Sequence, residues 1–163
     1  MTHSRIDKKL KTLNLQLAEA MQLPEGLVLP FVGAKILGKR VVISGHLPLN
    51  TDGSIHEIRG KVGDEVSIEE AYLSAKLATL AMLGTLKRTI GSLDRVENWV
   101  RILGMVNVTP GCTQTAPVIN GCSDLLIELF GPEVGSHTRS AVGFAELPFD
   151  CPVEIEGEVE ITL

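Results

Sequence analysis

Aromatic side chains are scarce in this 163-residue chain: one Trp, one Tyr and four Phe, 4% of the total. No basic segment has rings interleaved on which bases would stack. Positive charge is also short, 15 Lys and Arg against 20 Asp and Glu, which leaves a net charge of −5 and a pI near 5.4. That balance argues against a broad nucleic-acid-binding face, since phosphate attraction supplies most non-specific affinity. No apolar run approaches the ~18 residues of a membrane helix, so no membrane association is expected. The three cysteines, Cys112, Cys122 and Cys151, are odd in number and lack C-x-x-C spacing. His3, His46, His56 and His137 are scattered without ligand spacing, so neither a disulfide framework nor a metal site is expected, and no cofactor is implied. The N-terminal segment is charged and amphipathic where a secretory signal would be apolar, which places the protein in a reducing cytoplasm.

The chain does have apolar residues in excess, 44% hydrophobic with a mean hydropathy of +0.22 and 21% charged. At this length one globular domain buries roughly 68–70% of its unfolded surface. The excess points to a subunit interface.

Ile6, Leu10, Leu13, Leu17 and Met21 recur at spacings of three and four, with Ser4 as cap. They predict an amphipathic helix that Pro24, Gly26 and Pro30 end. Residues 1–24 are therefore read as a helical extension and 25–163 as the main domain. Alternation from Val28 to Ser44 predicts a hairpin turning near Gly38, and Leu47 to Gly63 a long loop. Ser67 and Glu70 form a capping box opening a helix that runs to Gly91, in which Gly84 would allow close approach to a sheet. Trp99 to Val108 is apolar on both alternating faces, a strand covered on both sides. A second long helix is predicted from Thr115, with Asn120 about 200° round from Val118 and away from the apolar stripe. The last two strands run from Arg139 to Glu146 and from Val153 to Leu163. In the first, Arg139, Ala141, Gly143 and Ala145 face away from Val142 and Phe144; in the second, Val153, Ile155, Val159 and Ile161 alternate with four glutamates. Two helices cover only one face of such a sheet, so the other meets water or another subunit.

Two motifs are rejected as decoys. Gly33 to Lys39 has Walker A spacing but ends in Arg40 where magnesium needs Ser or Thr, and it alternates like a strand. Ser44 and His46 are alternate residues of a strand and lack the geometry of a triad. There remain an arginine and a carboxylate separated by a hairpin, Arg139 and Glu154, which read either as a cross-strand ion pair or as a site.

Ser44-Gly45 followed by Pro48, Asn120 in a helix, and Arg139-Ser140 followed by Leu147-Pro148 and Val153-Glu154-Ile155-Glu156 resemble the Rid family, also called the YjgF-like or endoribonuclease L-PSP family. Order and spacing agree from about Val28 to the C-terminus. The resemblance implies an α/β (α+β) subunit of chorismate-mutase-like fold, a mixed sheet backed by two helices on one face. It also implies a homotrimer with clefts between subunits, and hydrolysis of 2-imino or enamino acids to 2-oxo acids and ammonia without metal or organic cofactor. In that reading Arg139 clamps the substrate carboxylate and Glu154 orients or deprotonates water. Ser44 and Gly45, with Asn120 from a neighbouring subunit, complete the pocket. Phe31 stands where deaminating members commonly have Tyr, Ala141 where they have Cys, and the usual glutamine before the long helix is absent near Glu69-Glu70. A non-enzymatic trimer binding a small carboxylic acid, as sensor or partner, is the alternative that Phe31 and Ala141 favour. A ribonuclease fits the acidity and the missing His pair poorly.

Overall fold

The computed structural model describes residues 4–163, and Met1–His3, with the His3 position, lie outside the described residues. Its elements are α1 (Arg5–Thr12), β1 (Ala34–Leu37), β2 (Arg40–His46), α2 (Ile68–Ile90), β3 (Val96–Asn107), α3 (Thr115–Val134), β4 (Thr138–Phe144) and β5 (Val153–Ile161). The five strands form one mixed sheet in the order β1-β2-β5-β3-β4, in which only β3 and β4 run parallel. Helices α2 and α3 cover one face, and the core of Val41, Ile43, Ile102, Val106, Val153, Ile155 and Val159 meets Ala75, Ala78, Leu83, Leu86, Ile119 and Leu126 between them. No helix among the described residues is long and apolar enough to cross a membrane.

Local chemistry explains the elements. Gly38 turns the β1–β2 hairpin at φ +64°, and Ser67 and Glu70 cap α2 reciprocally as the sequence predicts. Gly91 ends α2 at φ +84°.

The N-terminal helix is shorter than its periodicity suggests. Asn14 adopts a left-handed φ of +52°, and Leu15 donates its amide back to Leu10 O, closing the helix after Thr12. Residues 15–23 continue as an extended strap, because its amides are satisfied by the long loop: Glu19 N bonds Thr51 O and Gln22 N bonds Gly53 O. A Cβ on Gly84 would stand 2.5 Å from Ala18 O, and one on Gly53 2.2 Å from Ala20 O. Gly84 therefore makes room for the strap, where sequence pattern suggested a sheet.

Strand β3 also departs from simple alternation. Register slips between Trp99 and Arg101, and this bulge turns Trp99 to the helix side, where it is buried edge-on to Phe130 with ring centroids 5.7 Å apart. Leu103 and Met105 stay half-buried on the open face.

Strands β4 and β5 do not pair. Their connection crosses the end of β3, which lies hydrogen-bonded between them, so the expected hairpin is a crossover. The small-residue face of β4 is the one against α3: Ala141 O accepts from Thr115 Oγ1 at 3.0 Å, and a Cβ on Gly143 would meet Val108 at 2.7 Å. Val142 and Phe144 consequently lie on the open face, 38% and 40% exposed.

Candidate functional site

The sheet order separates the two residues singled out for chemistry. Glu154 pairs with Met105 and points to the open face, whereas Arg139 pairs with Ile102 and reaches toward α3. Within one chain they form no ion pair. Each instead stands in its own cluster of the expected residues, a candidate half-site.

The first half is a cavity of about 590 Å³ at the β2 end of the sheet, lined by Glu154, Ser44, Gly45 and Phe31 among the expected residues, and by Leu29, Phe149, Met21 and Leu23. A bulge between Ile43 and His46 opens β2 there. Gly45 is required by closeness: a Cβ would lie 1.9 Å from Glu154 Oε1. The Ser44 hydroxyl donates to Val32 O at 2.7 Å, leaving its lone pairs free. Phe31, 57% exposed, stands at the rim. Burial, then the negative charge of Glu156, hold the Glu154 carboxyl above the usual carboxylate range.

A relay supports this half. His46 Nδ1 lies 2.7 Å from Ser44 O, and since a carbonyl only accepts, Nδ1 carries the proton. Nε2 then accepts the Thr85 hydroxyl at 2.8 Å, and Thr85 Oγ1 accepts from Arg88 Nη2 at 3.1 Å. His46 is thus a fixed neutral strut, and its pairing with Ser44 is through the backbone.

The second half lies at the β4 edge. Arg139 Nη1 donates to Ser123 Oγ at 2.9 Å and Nη2 to Ala116 O at 3.3 Å. Both partners are neutral. Exposed Asn120 falls between Ala116 and Ser123 on the same face of α3, and Ala141 follows Arg139 by two on the same face of β4. Ser123 is oriented in turn by His137 Nε2 at 2.9 Å, whose Nδ1 donates to Gly135 O at 2.7 Å. Asn120, Arg139 and Ala141 are therefore together beside α3, and Phe31, Ser44, Gly45 and Glu154 are together at the cavity, in two separate groups.

Sequence pattern missed Thr85, Arg88, Ser123 and His137. Arg88 carried a signal, but as a cation favourable to the helix C-terminus.

Both histidines are held below their ordinary value of 6.5, by burial first, with Arg88 acting on His46 and Arg139 on His137. The unfolded chain takes up these protons as pH falls below about 6.5 while the folded chain resists, so this stability is fully present above that pH, levels off there, and is lost as pH falls through it. Melting curves between pH 7.5 and 5.5 are expected to show a falling Tm, with a smaller fall in His46→Gln and His137→Gln. An equal fall in both variants would contradict this placement of the neutral imidazoles.

Comparison with known proteins places these features in context. The family model described as "YjgF/chorismate_mutase-like, putative endoribonuclease" matches residues 14–154, beginning inside the predicted helical extension. Protein TCP17 of Trypanosoma cruzi is 37% identical over 124 residues, 76% of each chain. Among solved structures, Atu1372 of Agrobacterium tumefaciens superposes with a TM-score of 0.86 at 33% identity, covering 97% of this chain and 93% of its own. A Shewanella oneidensis protein carrying the same endoribonuclease label gives 0.84 at 28% identity over 96% and 99%.

Proposed function

As the chain belongs to the YjgF/L-PSP (Rid) family, we propose that it is a cytosolic deaminase hydrolysing 2-imino and enamino acids to 2-oxo acids and ammonia, in clefts completed by a neighbouring subunit of a homotrimer. The observation that carries this reading is the division of the site: Glu154 opens into a cavity that lacks Arg139, and Arg139 stands on the far edge with only neutral partners. A head-to-tail ring of subunits would join the halves. The half-exposed apolar residues of the open face, Val42, Val142 and Phe144, offer it an interface.

The chemistry follows from the residues. Ser123 and Ala116 fix the guanidinium of Arg139 and leave its remaining N–H donors for a substrate carboxylate. Water adds to the carbon of the protonated imine as Glu154 takes one of its protons, giving a neutral carbinolamine. Glu154 returns that proton to nitrogen. The C–N bond then breaks to release ammonia as the hydroxyl proton passes to Glu154 and the carbonyl of the 2-oxo acid forms, and Glu154 hands this proton to the departing ammonia as ammonium. A carboxyl raised by burial suits a group that must both take and return a proton. Phe31 supplies the ring at the rim without a hydroxyl, and Ala141 supplies its backbone only.

Arg139→Ala is expected to leave the melting temperature nearly unchanged and to lower imine hydrolysis about 100-fold or more, measured in a coupled amino-acid dehydratase assay, because charge-assisted hydrogen bonds to substrate are lost. Undiminished turnover would overturn the assignment. The missing hydroxyl and thiol at Phe31 and Ala141 favour a second reading, a carboxylate-binding trimer without catalysis. It predicts 2-oxo acid binding that Arg139→Ala abolishes in a protein that hydrolyses no imine.

A further inference from the structure

The Glu154 cavity contains a cation that the proposed chemistry does not use. Arg88, near the end of α2, is the only permanent positive charge among the described residues lining it. Its Nη1 donates to Ala18 O at 3.0 Å on the strap and its Nη2 to Thr85 Oγ1 at 3.1 Å. Those two bonds hold the guanidinium in place but leave its charge uncompensated, with three of its five N–H donors unused by them. Adjacent Lys87 is paired with Asp7 at 2.7 Å. Arg88 has no such carboxylate among the described residues, although Glu19 and Glu154 line the same space. Apolar walls, Leu29, Phe31 and Phe149, occupy much of the remaining lining.

We infer that Arg88 receives a second anionic group of the ligand, so that the cavity selects dicarboxylic over monocarboxylic imino and oxo acids. This rests on the reading above for the first carboxylate, which Arg139 of the neighbouring subunit takes. The two cations are then the ends of the site, Glu154 attends the carbon between them, and the hydrocarbon walls sheath the linking methylenes. A planar guanidinium already oriented by neutral acceptors accepts a carboxylate through parallel N–H donors with little ordering cost. The protein's net charge of −5 disfavours a doubly charged anion in general, so a preference for one must come from the site.

Calorimetry on the full-length protein with 2-oxoglutarate and 2-oxopentanoate, acids of the same chain length, tests it. The wild type is expected to bind the dicarboxylate about 10- to 100-fold more tightly, Arg88→Met to bind the two alike, and Arg88→Lys to keep part of the preference. Thr85→Val removes one support of the guanidinium but not its charge, and should keep the preference. A wild type without preference overturns the inference. So does a preference that survives Arg88→Met, or one that Thr85→Val erases as fully. Should Arg88→Met not fold, the wild-type and Arg88→Lys measurements still decide. Failure of the deaminase reading looks different: dicarboxylate preference intact, and no imine hydrolysed.

Discussion

Two inactive variants are expected to restore each other when forced into one assembly. Glu154→Gln keeps the shape of the carboxyl but cannot take a proton, and loss of a general base costs about 10²–10⁴-fold. Arg139→Ala loses the clamp. Co-expressed with different affinity tags and purified through both, the variants are expected to form mixed rings, and in the proposed trimer every mixed ring, whichever chain is in excess, has one cleft of its three built from an intact Glu154 and an intact Arg139. Activity should return to about a third of the wild-type value per trimer. Were both residues parts of one chain's own site, every site would carry a lesion and nothing would return. The expectation follows from sheet order: with β3 between β4 and β5, Arg139 lies on the helix side of the β4 edge while Glu154 faces the open side of the central strand. Full inactivity of the mixed rings would sink the divided site.

Gly121→Ala is expected to destabilise the fold. In an exposed helix, alanine improves on glycine by about 1 kcal/mol. Here a Cβ on Gly121 would stand 2.1 Å from Tyr72 O and 3.2 Å from the Ala75 Cβ, so α3 rests directly on the backbone of α2. A carbonyl oxygen inside a helix cannot swing aside as a side-chain end can, and the two helices must separate along their seam. Overpacking of this kind costs about 1–3 kcal/mol, which at this chain length lowers Tm by roughly 2–12 °C. Thermal denaturation followed by circular dichroism measures it, and a Tm at or above wild type would show the helices free to shift.

The elements legible in the sequence were those whose signal is local. The Ser67 and Glu70 box, the turn at Gly38, the helix from Thr115 and the alternation of β5 all appear where the pattern places them. What escaped it depends on neighbours distant in the chain. The strap after Asn14 has helical spacing, but the Thr51 and Gly53 carbonyls of a later loop claim its amides. Trp99 belongs by count to the face of Leu103, and a single bulge reverses it. The candidate site residues were singled out individually by their resemblance to a family, yet their separation into two groups was hidden, because nothing local says that a strand from earlier in the chain will lie between β4 and β5. Arg88 was hidden similarly: its placement depends on the Ala18 carbonyl, 70 residues away, and on a cavity wall formed by the strap.

That same insertion governs when the sheet can exist. Strand β5 follows every other strand in the chain, yet it lies in the middle, joining the β1–β2 hairpin to the β3–β4 pair. During synthesis the two halves emerge with no hydrogen-bonded seam between them, and the hydrophobic edges of β2 and β3 stay open until residues 153–161 leave the ribosome. Contacts so distant in the chain close slowly. The sheet therefore closes only once β5 has emerged, and the segment carrying Glu154 is also the one that completes it.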